Sequence, residues 1–188
     1  MTVVIRSAVA ADVSALAELA ARTFRETFAA DNRPEDMALH LTSSYGVSQQ
    51  GAELADPDIT TLLAEVDGQL VGFAQLRSDG ATSCVTGEAP IELWRFYVAQ
   101  AWHGLGVAQA LMQRVESEAQ ARGARTLWLG VWERNPRALA FYRKTGFSDV
   151  GSQVFMVGED AQTDRVLVRA VGGPGSMPGS GVRPHHML

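Results

Sequence analysis

Residues 97–115 read YVAQAWHGLGVAQALMQRV, in which an apolar segment passes through two glycines into an amphipathic segment. Gly104 and Gly106 are separated only by Leu105. A dinucleotide fingerprint would need a third glycine where Gln109 stands, and no Walker lysine follows. The stretch predicts a strand, a glycine turn and a helix. It leaves open whether the turn cradles a phosphate or only begins the helix.

Apolar periodicity on both sides of this stretch predicts a single sheet domain. The pattern predicts helices over 11–28, from Pro34, over 107–122 and from Asn135. Asp67-Gly68 is typical of a hairpin turn. Strands are predicted at 3–9, 59–66, 69–77, 91–98, 125–131, 149–157 and 164–171. The order βααβββαβαββ indicates a mixed α/β or α+β domain over residues 1–171.

Composition limits the class of protein. The chain has 188 residues, 46% of them hydrophobic and 20% charged, which suits one globular domain. The single cysteine, Cys84, fits a reducing compartment, so we expect a cytoplasmic protein. No apolar run reaches the ~20 residues of a membrane helix, and the four histidines lack metal-ligand spacing. We expect no membrane or metal partner, and a disordered Gly/Pro-rich tail over 172–188.

Charge is unevenly distributed along the chain. The net charge of −5 argues against a general nucleic-acid binder. Residues 1–66 carry ten acids against four arginines, a net charge of −6. Residues 95–147 carry eight basic residues against three glutamates, a net charge of +5. The acidic part suits a cationic partner and the basic part an anionic one, although ordinary solvated surface gives the same pattern of charge.

The motifs resemble those of the GCN5-related N-acetyltransferases. His103-Gly104-Leu105-Gly106-Val107-Ala108 is similar to the family's [Gln/Arg]-x-x-Gly-x-[Gly/Ala] acetyl-coenzyme A motif, with histidine at a position where glutamine or arginine is usual. NPRALAFYRKTGF resembles the family's Asn-x-x-Ala-x-x-Phe-Tyr-x-x-x-Gly-Phe helix. The resemblance implies an α+β fold with a mostly antiparallel sheet of six to seven strands, one splayed parallel strand pair and about four helices.

The resemblance also implies acetyl-CoA as the cosubstrate. Free backbone N–H groups of residues 104–108 and the helix dipole would hold its pyrophosphate. His103 would donate to the phosphate, with a dependence on pH near ~6.5. The predicted strand at 91–98 would bind the pantetheine arm, with the Val98 N–H stabilising the oxyanion. The cofactor residues implied are Phe96, Tyr97, Val98, His103, Gly104, Leu105, Gly106, Val107, Ala108, Asn135 and Tyr142.

Two side chains are the candidates for catalysis. Tyr142, the tyrosine of the Phe-Tyr pair, would protonate the leaving thiolate, although it can also be a packing residue. Related ribosomal-protein acetyltransferases place a glutamate at the position of Gly130, and its absence here shifts the general-base prediction to Glu92. Strand alternation places Glu92 on one face with Trp94, Phe96 and Val98, although it can also be a rim carboxylate. Asn135 would contact the cofactor, cap the helix, or do both.

The acceptor is expected to be a small-molecule amine. TFRETFAADNRPEDM resembles the spermine/spermidine acetyltransferase-like branch, in which the first two helices overhang the acceptor groove. This implies a polyamine or other small cationic amine, bound by residues including Phe28, Asp31, Glu35 and Trp94. The alternatives are a protein N-terminal or lysine acetyltransferase and a non-catalytic acyl-CoA-binding module. A homodimer is also a prediction.

Overall fold

The protein is described here from a computed structural model, in which residues 1–172 are placed. Residues 173–188 lie outside the described residues, and so does most of the tail for which disorder is predicted. None of the helices within residues 1–172 is both long enough and apolar enough to cross a membrane.

The domain consists of seven strands and five α-helices in the described residues. The strands are β1 Val3–Ser7, β2 Ile59–Val66, β3 Gln69–Arg77, β4 Pro90–Val98, β5 Thr126–Trp132, β6 Ser148–Val157 and β7 Asp160–Ala170. The helices are α1 Val13–Phe28, α2 Pro34–Tyr45, α3 Val47–Ala55, α4 Val107–Ala121 and α5 Pro136–Lys144. The predicted α+β class is confirmed.

All seven strands form one sheet in the order β1-β2-β3-β4-β5-β7-β6. Neighbours pair antiparallel except β4 and β5, which pair in parallel only at Pro90–Thr126, Ile91–Leu127 and Glu92–Trp128. Beyond these three pairs the two strands separate, and β5 continues its pairing with β7 alone. The predicted splayed parallel pair is therefore present, and it opens the middle of the sheet.

The two faces of the sheet carry separate apolar cores. On one face α4 and α5 bury Leu111, Val115 and Phe147 against the sheet. On the other face α1 and α2 bury Leu16 and Phe24. The apolar stripe predicted for residues 11–28 is what α1 buries on this second face. Burial of this kind contributes roughly 1.5–3 kcal/mol for each large side chain. Both cores continue to the opening between β4 and β5, so the opening has packed walls.

Two local features differ from the sequence-based prediction. Helix α3 was not predicted, because VSQQGAELA has a glycine at 51 and few apolar residues. A β-bulge also interrupts β4, since Gln75 faces Arg95 while Leu76 faces Leu93, which leaves Trp94 without a partner. The extra residue reverses the alternation of side chains along the rest of the strand.

Candidate active site

A cleft of about 460 Å³ occupies the opening between β4 and β5. Residues of both sheet faces line it, because the missing strand pairing leaves a passage between the two cores. Tyr142 reaches it from the α4–α5 face, and Phe28 from the α1–α2 face. Two substrates can therefore enter, one from each face, and meet between the strands.

The glycine turn lies at the mouth of this cleft and begins α4. Gly104 and Gly106 have φ values of 77° and 86°, in the left-handed region where side chains with a Cβ are strained. A Cβ at either position would meet no atom within 4 Å. The glycines are therefore needed here for the backbone conformation.

The turn leaves backbone donors free. Ala110 is the first residue of α4 to donate to an intrahelical carbonyl, that of Gly106, at 3.1 Å. The N–H groups of residues 107–109 therefore have no intrahelical acceptor, and the helix dipole adds partial positive charge at the same end. Gly104, Ala108 and Gln109 line the cleft. Leu105 is exposed and Val107 is buried in the core, and neither lines the cleft.

The prediction for His103 is corrected by its hydrogen bonds. Its Nε2 lies 2.7 Å from the carbonyl oxygen of Val98, and its Nδ1 lies 2.6 Å from Nη1 of Arg137. A carbonyl only accepts and a guanidinium only donates, so Nε2 donates to Val98 and Nδ1 accepts from Arg137. Neither nitrogen is left for a phosphate. His103 instead ties the turn to α5 and holds Arg137 at the cleft, which it lines.

The open edge of β4 carries further free backbone groups. The Ala99 N–H donates to the carbonyl of Val71 at 2.8 Å, which makes Val98 and Gly72 a non-hydrogen-bonded pair. The N–H and C=O of Val98 therefore point away from β3, and the alternation gives Phe96 the same direction. Because β5 does not pair there, the N–H of Val98 and the N–H and C=O of Phe96 face the opening, whereas the C=O of Val98 accepts a hydrogen bond from His103 Nε2. Tyr97 also lines the cleft, with its ring packed on Phe73 of the second core.

Tyr142 and Asn135 are both placed in the cleft by α5. Burial raises the pKa of Tyr142 well above its ordinary value, so the phenol stays protonated at neutral pH. Its ring packs edge-on against Phe147 and Phe141. Asn135 accepts a hydrogen bond from the Ala138 N–H at 3.1 Å and so caps α5. Tyr142 therefore combines a packed ring with a position in the cleft.

Glu92 does not line the cleft. It lies where β4 still pairs with β5, is buried, and forms an ion pair with Arg77. Burial raises its pKa, although Arg77 opposes the rise. The predicted grouping with Phe96 and Val98 is wrong, because the bulge at Trp94 places those two residues on the opposite face. The geometry favours a structural ion pair over contact with a substrate.

Of the predicted acceptor residues, Phe28 and Trp94 line the cleft, and Asp31 and Glu35 do not. The Trp94 ring lies between two guanidinium groups, with the Cζ atoms of Arg77 and Arg95 at 4.3 and 3.8 Å from its centroid. Asp31 lines an adjoining cavity of about 300 Å³, and Glu35 is exposed on the first turn of α2. That second cavity shares Trp132 with the cleft and is also lined by Glu133 and Asp160.

Several cleft residues were missed by the sequence-based prediction because they come from distant elements. Two are acidic: Glu26, whose Oε2 accepts from the Gln100 N–H at 2.9 Å, and Asp164 on β7. The other residues that were missed are mainly aromatic or basic, namely Trp102, Trp132, Arg137 and Phe155. Residues 1–172 contain no group of three or more His, Cys, Asp or Glu side chains placed to hold a metal ion.

A sheet opened at one parallel strand pair, with a glycine turn at the opening, defines an N-acyltransferase class of α+β fold. Residues 14–147 match the family described as the acetyltransferase (GNAT) family. The chain belongs to this family, as its motifs predict. The narrower resemblance to the spermine/spermidine acetyltransferase-like branch stays a prediction.

Similar proteins agree with this assignment. An uncharacterised N-acetyltransferase of Lactobacillus delbrueckii subsp. lactis is 32% identical over 160 residues, which cover 85% of this chain and 92% of that protein. One from Mycobacterium tuberculosis is 36% identical over 159 residues, covering 84% and 97%. The solved structure of the PaiA N-acetyltransferase from Thermoplasma acidophilum, in complex with coenzyme A, has a TM-score of 0.73. Its sequence is 21% identical, and the match covers 99% of that chain and 90% of this one. The last likeness shows a shared fold.

Proposed function

We propose that this acetyltransferase moves the acetyl group of acetyl-CoA to a primary amine of a small cationic molecule, by direct attack within a ternary complex. The observation that carries the proposal is the cleft through the sheet, with free amides at one end. The diphosphate of coenzyme A would accept hydrogen bonds from the N–H groups of residues 107–109, and Arg137 adds a positive charge nearby. This site needs no lysine.

The pantetheine arm would follow the open edge of β4. Its amide groups can pair with the backbone of Phe96 and with the N–H of Val98 as a neighbouring strand would, because β5 has left that edge free. The thioester would then lie in the opening, where the Val98 N–H can donate to the developing oxyanion. The acetyl group is presented to the α1–α2 face, from which the amine approaches.

Tyr142 is proposed as the acid that protonates the departing thiolate. It is protonated at neutral pH, and a thiolate formed in the same desolvated cleft is also made more basic by burial. Asn135, already used as a helix cap, would contact the cofactor beside it. Tyr142 lies on the cofactor face, the side from which the sulfur leaves.

The acceptor class follows from the charges around the cleft on the α1–α2 face. Glu26 and Asp164 line the cleft itself. The cavity that adjoins it through Trp132 is lined by three acids and one base, namely Asp31, Glu133, Asp160 and Arg134. A molecule with two or more amines could place one at the thioester and another in the adjoining cavity. This supports a polyamine or a similar small cation.

The test measures release of free thiol from acetyl-CoA with a panel of spermidine, phenethylamine, amino-acid amides and a lysine peptide. We expect turnover with small cationic amines and little with the peptide. Preferred turnover of the peptide would support the protein acetyltransferase alternative. Calorimetric binding of acetyl-CoA with no thiol release from any amine would instead support a non-catalytic binding module.

A further inference from the structure

Asp164 is a buried carboxylate that the proposed cofactor contacts do not use. It lies on β7 opposite Trp132 of β5 and Gln153 of β6, so its side chain projects from the α1–α2 face of the sheet. It is 7% exposed and lines the cleft. Its Oδ1 is buried and has no hydrogen-bond partner among the described residues.

The backbone next to Asp164 is shaped to admit this carboxylate. A Cβ at Gly130 would lie 2.9 Å from Oδ2 of Asp164 and 2.6 Å from Nε2 of Gln153. Both distances are closer than a carbon atom tolerates, so glycine at 130 is what lets the carboxylate lie over β5 at the opening. The sequence thus places a carboxylate at the centre of the sheet from a neighbouring strand.

An unpartnered buried carboxylate costs stability, so packing does not explain it. Burial raises the pKa of Asp164 from 3.8 to about 7, and no hydrogen bond or cation offsets that rise. The walls beside it are aromatic, since Phe28 lies against Trp132 and Phe155 with ring centroids 5.3 and 6.3 Å apart. Aromatic faces and one carboxylate are what an ammonium group binds in proteins.

We propose that Asp164 is the general base of the reaction, and that it receives the acceptor's ammonium group between Phe28, Trp132 and Phe155. This inference rests on the proposed acetyl transfer. The carboxylate takes one proton from the ammonium, and the neutral amine attacks the thioester carbon. A C–N bond forms, the C–S bond breaks, and the thiolate takes the proton of Tyr142, which regains one from the amide nitrogen. The proton on Asp164 is then lost to solvent.

If Asp164 is the base, the rate of acetyl transfer should depend on pH in a specific way. An amine of pKa ~10.4 is almost wholly protonated at neutral pH, so a base near 7 provides a plateau of activity above that pH. Activity should rise as Asp164 ionises and then level off. The other titratable side chains that line the cleft are Glu26, Arg95, Tyr97, His103, Arg137 and Tyr142.

The decisive variant is Asp164→Asn, which keeps the shape and removes the base. Asp149→Asn is the matched control, because Asp149 lies on the adjacent strand, outside the cleft, in an ion pair with Arg165 at 2.7 Å. The substrates, compared at pH 8, are acetyl-CoA with the most active amine of the panel and with its β,β-difluoro analogue, whose fluorines lower the ammonium pKa enough to leave it largely deprotonated at that pH. Calorimetry with acetyl-CoA shows that each variant is folded.

We expect kcat of Asp164→Asn with the ordinary amine to fall about 100-fold or more, with acetyl-CoA affinity unchanged within about twofold. Its rate should rise tenfold per pH unit where the wild type has its plateau. The difluoro amine should restore most of the loss, because it needs no base. Equal loss with both amines, or no loss, would overturn the base assignment. A wild type inactive with every amine would instead refute the proposed function.

Discussion

Replacement of Asp164 by asparagine should change the pH dependence of stability as well as the rate. In the unfolded chain the carboxyl group has its ordinary pKa of 3.8, and in the fold the pKa is about 7. Between these values the folded chain binds more protons than the unfolded chain. The free energy of unfolding therefore falls as pH rises through this range. Asparagine cannot ionise and removes this dependence.

The magnitude follows from the width of the range. Each pH unit is worth about 1.4 kcal/mol, so ionisation of Asp164 lowers the free energy of unfolding by about 4 kcal/mol between pH 4 and 7. For a chain of this size that corresponds to a change in melting temperature on the order of 10 °C. Asp164→Asn should therefore be the more stable protein at pH 8, with the difference largely gone at pH 4.

The assay is chemical denaturation of both proteins at intervals from pH 4 to pH 8. Asp149→Asn provides a control without this pH dependence, because the Arg165 hydrogen bonds lower the pKa of Asp149 below its ordinary 3.8. Its ionised form stabilises the fold throughout the range of the assay, so that variant should be less stable than the wild type by a nearly constant amount from pH 4 to pH 8. Parallel pH curves for wild type and Asp164→Asn would refute the claim that this carboxylate is buried without a partner.

Three further substitutions separate the other parts of the site. Gly106→Ala should weaken acetyl-CoA binding about tenfold, because a left-handed alanine costs roughly 1–2 kcal/mol and distorts the free amides; unchanged affinity by calorimetry would contradict this. Tyr142→Phe should lower kcat with little change in KM for acetyl-CoA, and equal turnover would move the acid role elsewhere. Glu92→Gln should leave kcat within about twofold, because Glu92 is paired with Arg77 and does not line the cleft. A large fall in kcat of folded Glu92→Gln would restore the original base prediction.

Much of the fold could be predicted from the sequence, because local turn and cap signals agree with the apolar periodicity. The hairpin of β2 and β3 was predicted at its observed bounds, since Asp67 and Gly68 both adopt the positive φ that its two-residue turn needs. Asn135 and Pro136 begin α5 as predicted. Helix α3 gave no such signal, because its packing depends on Gln50 and Glu53 in a buried network with Arg95.

Less of the site could be predicted, because it depends on strand register and on contacts between residues that are distant in sequence. One unpartnered residue at Trp94 moves Glu92 to the face opposite Phe96, and alternation alone does not reveal a bulge. The hydrogen bonding of His103 depends on Arg137, 34 residues away. Asp164 stands at the start of the last predicted strand, and only the pairing of β5, β6 and β7 places it over Gly130.

Coenzyme A binding is proposed to depend most on the free amides at the start of α4. Their occupation can be measured residue by residue, by following backbone amide resonances in NMR spectra as coenzyme A is added. We predict the largest shifts at residues 104–109 and along the open edge at 96–98, with α2 unchanged. Saturable binding whose shifts lie elsewhere, with residues 104–109 unmoved, would contradict the assignment of this turn as the diphosphate site.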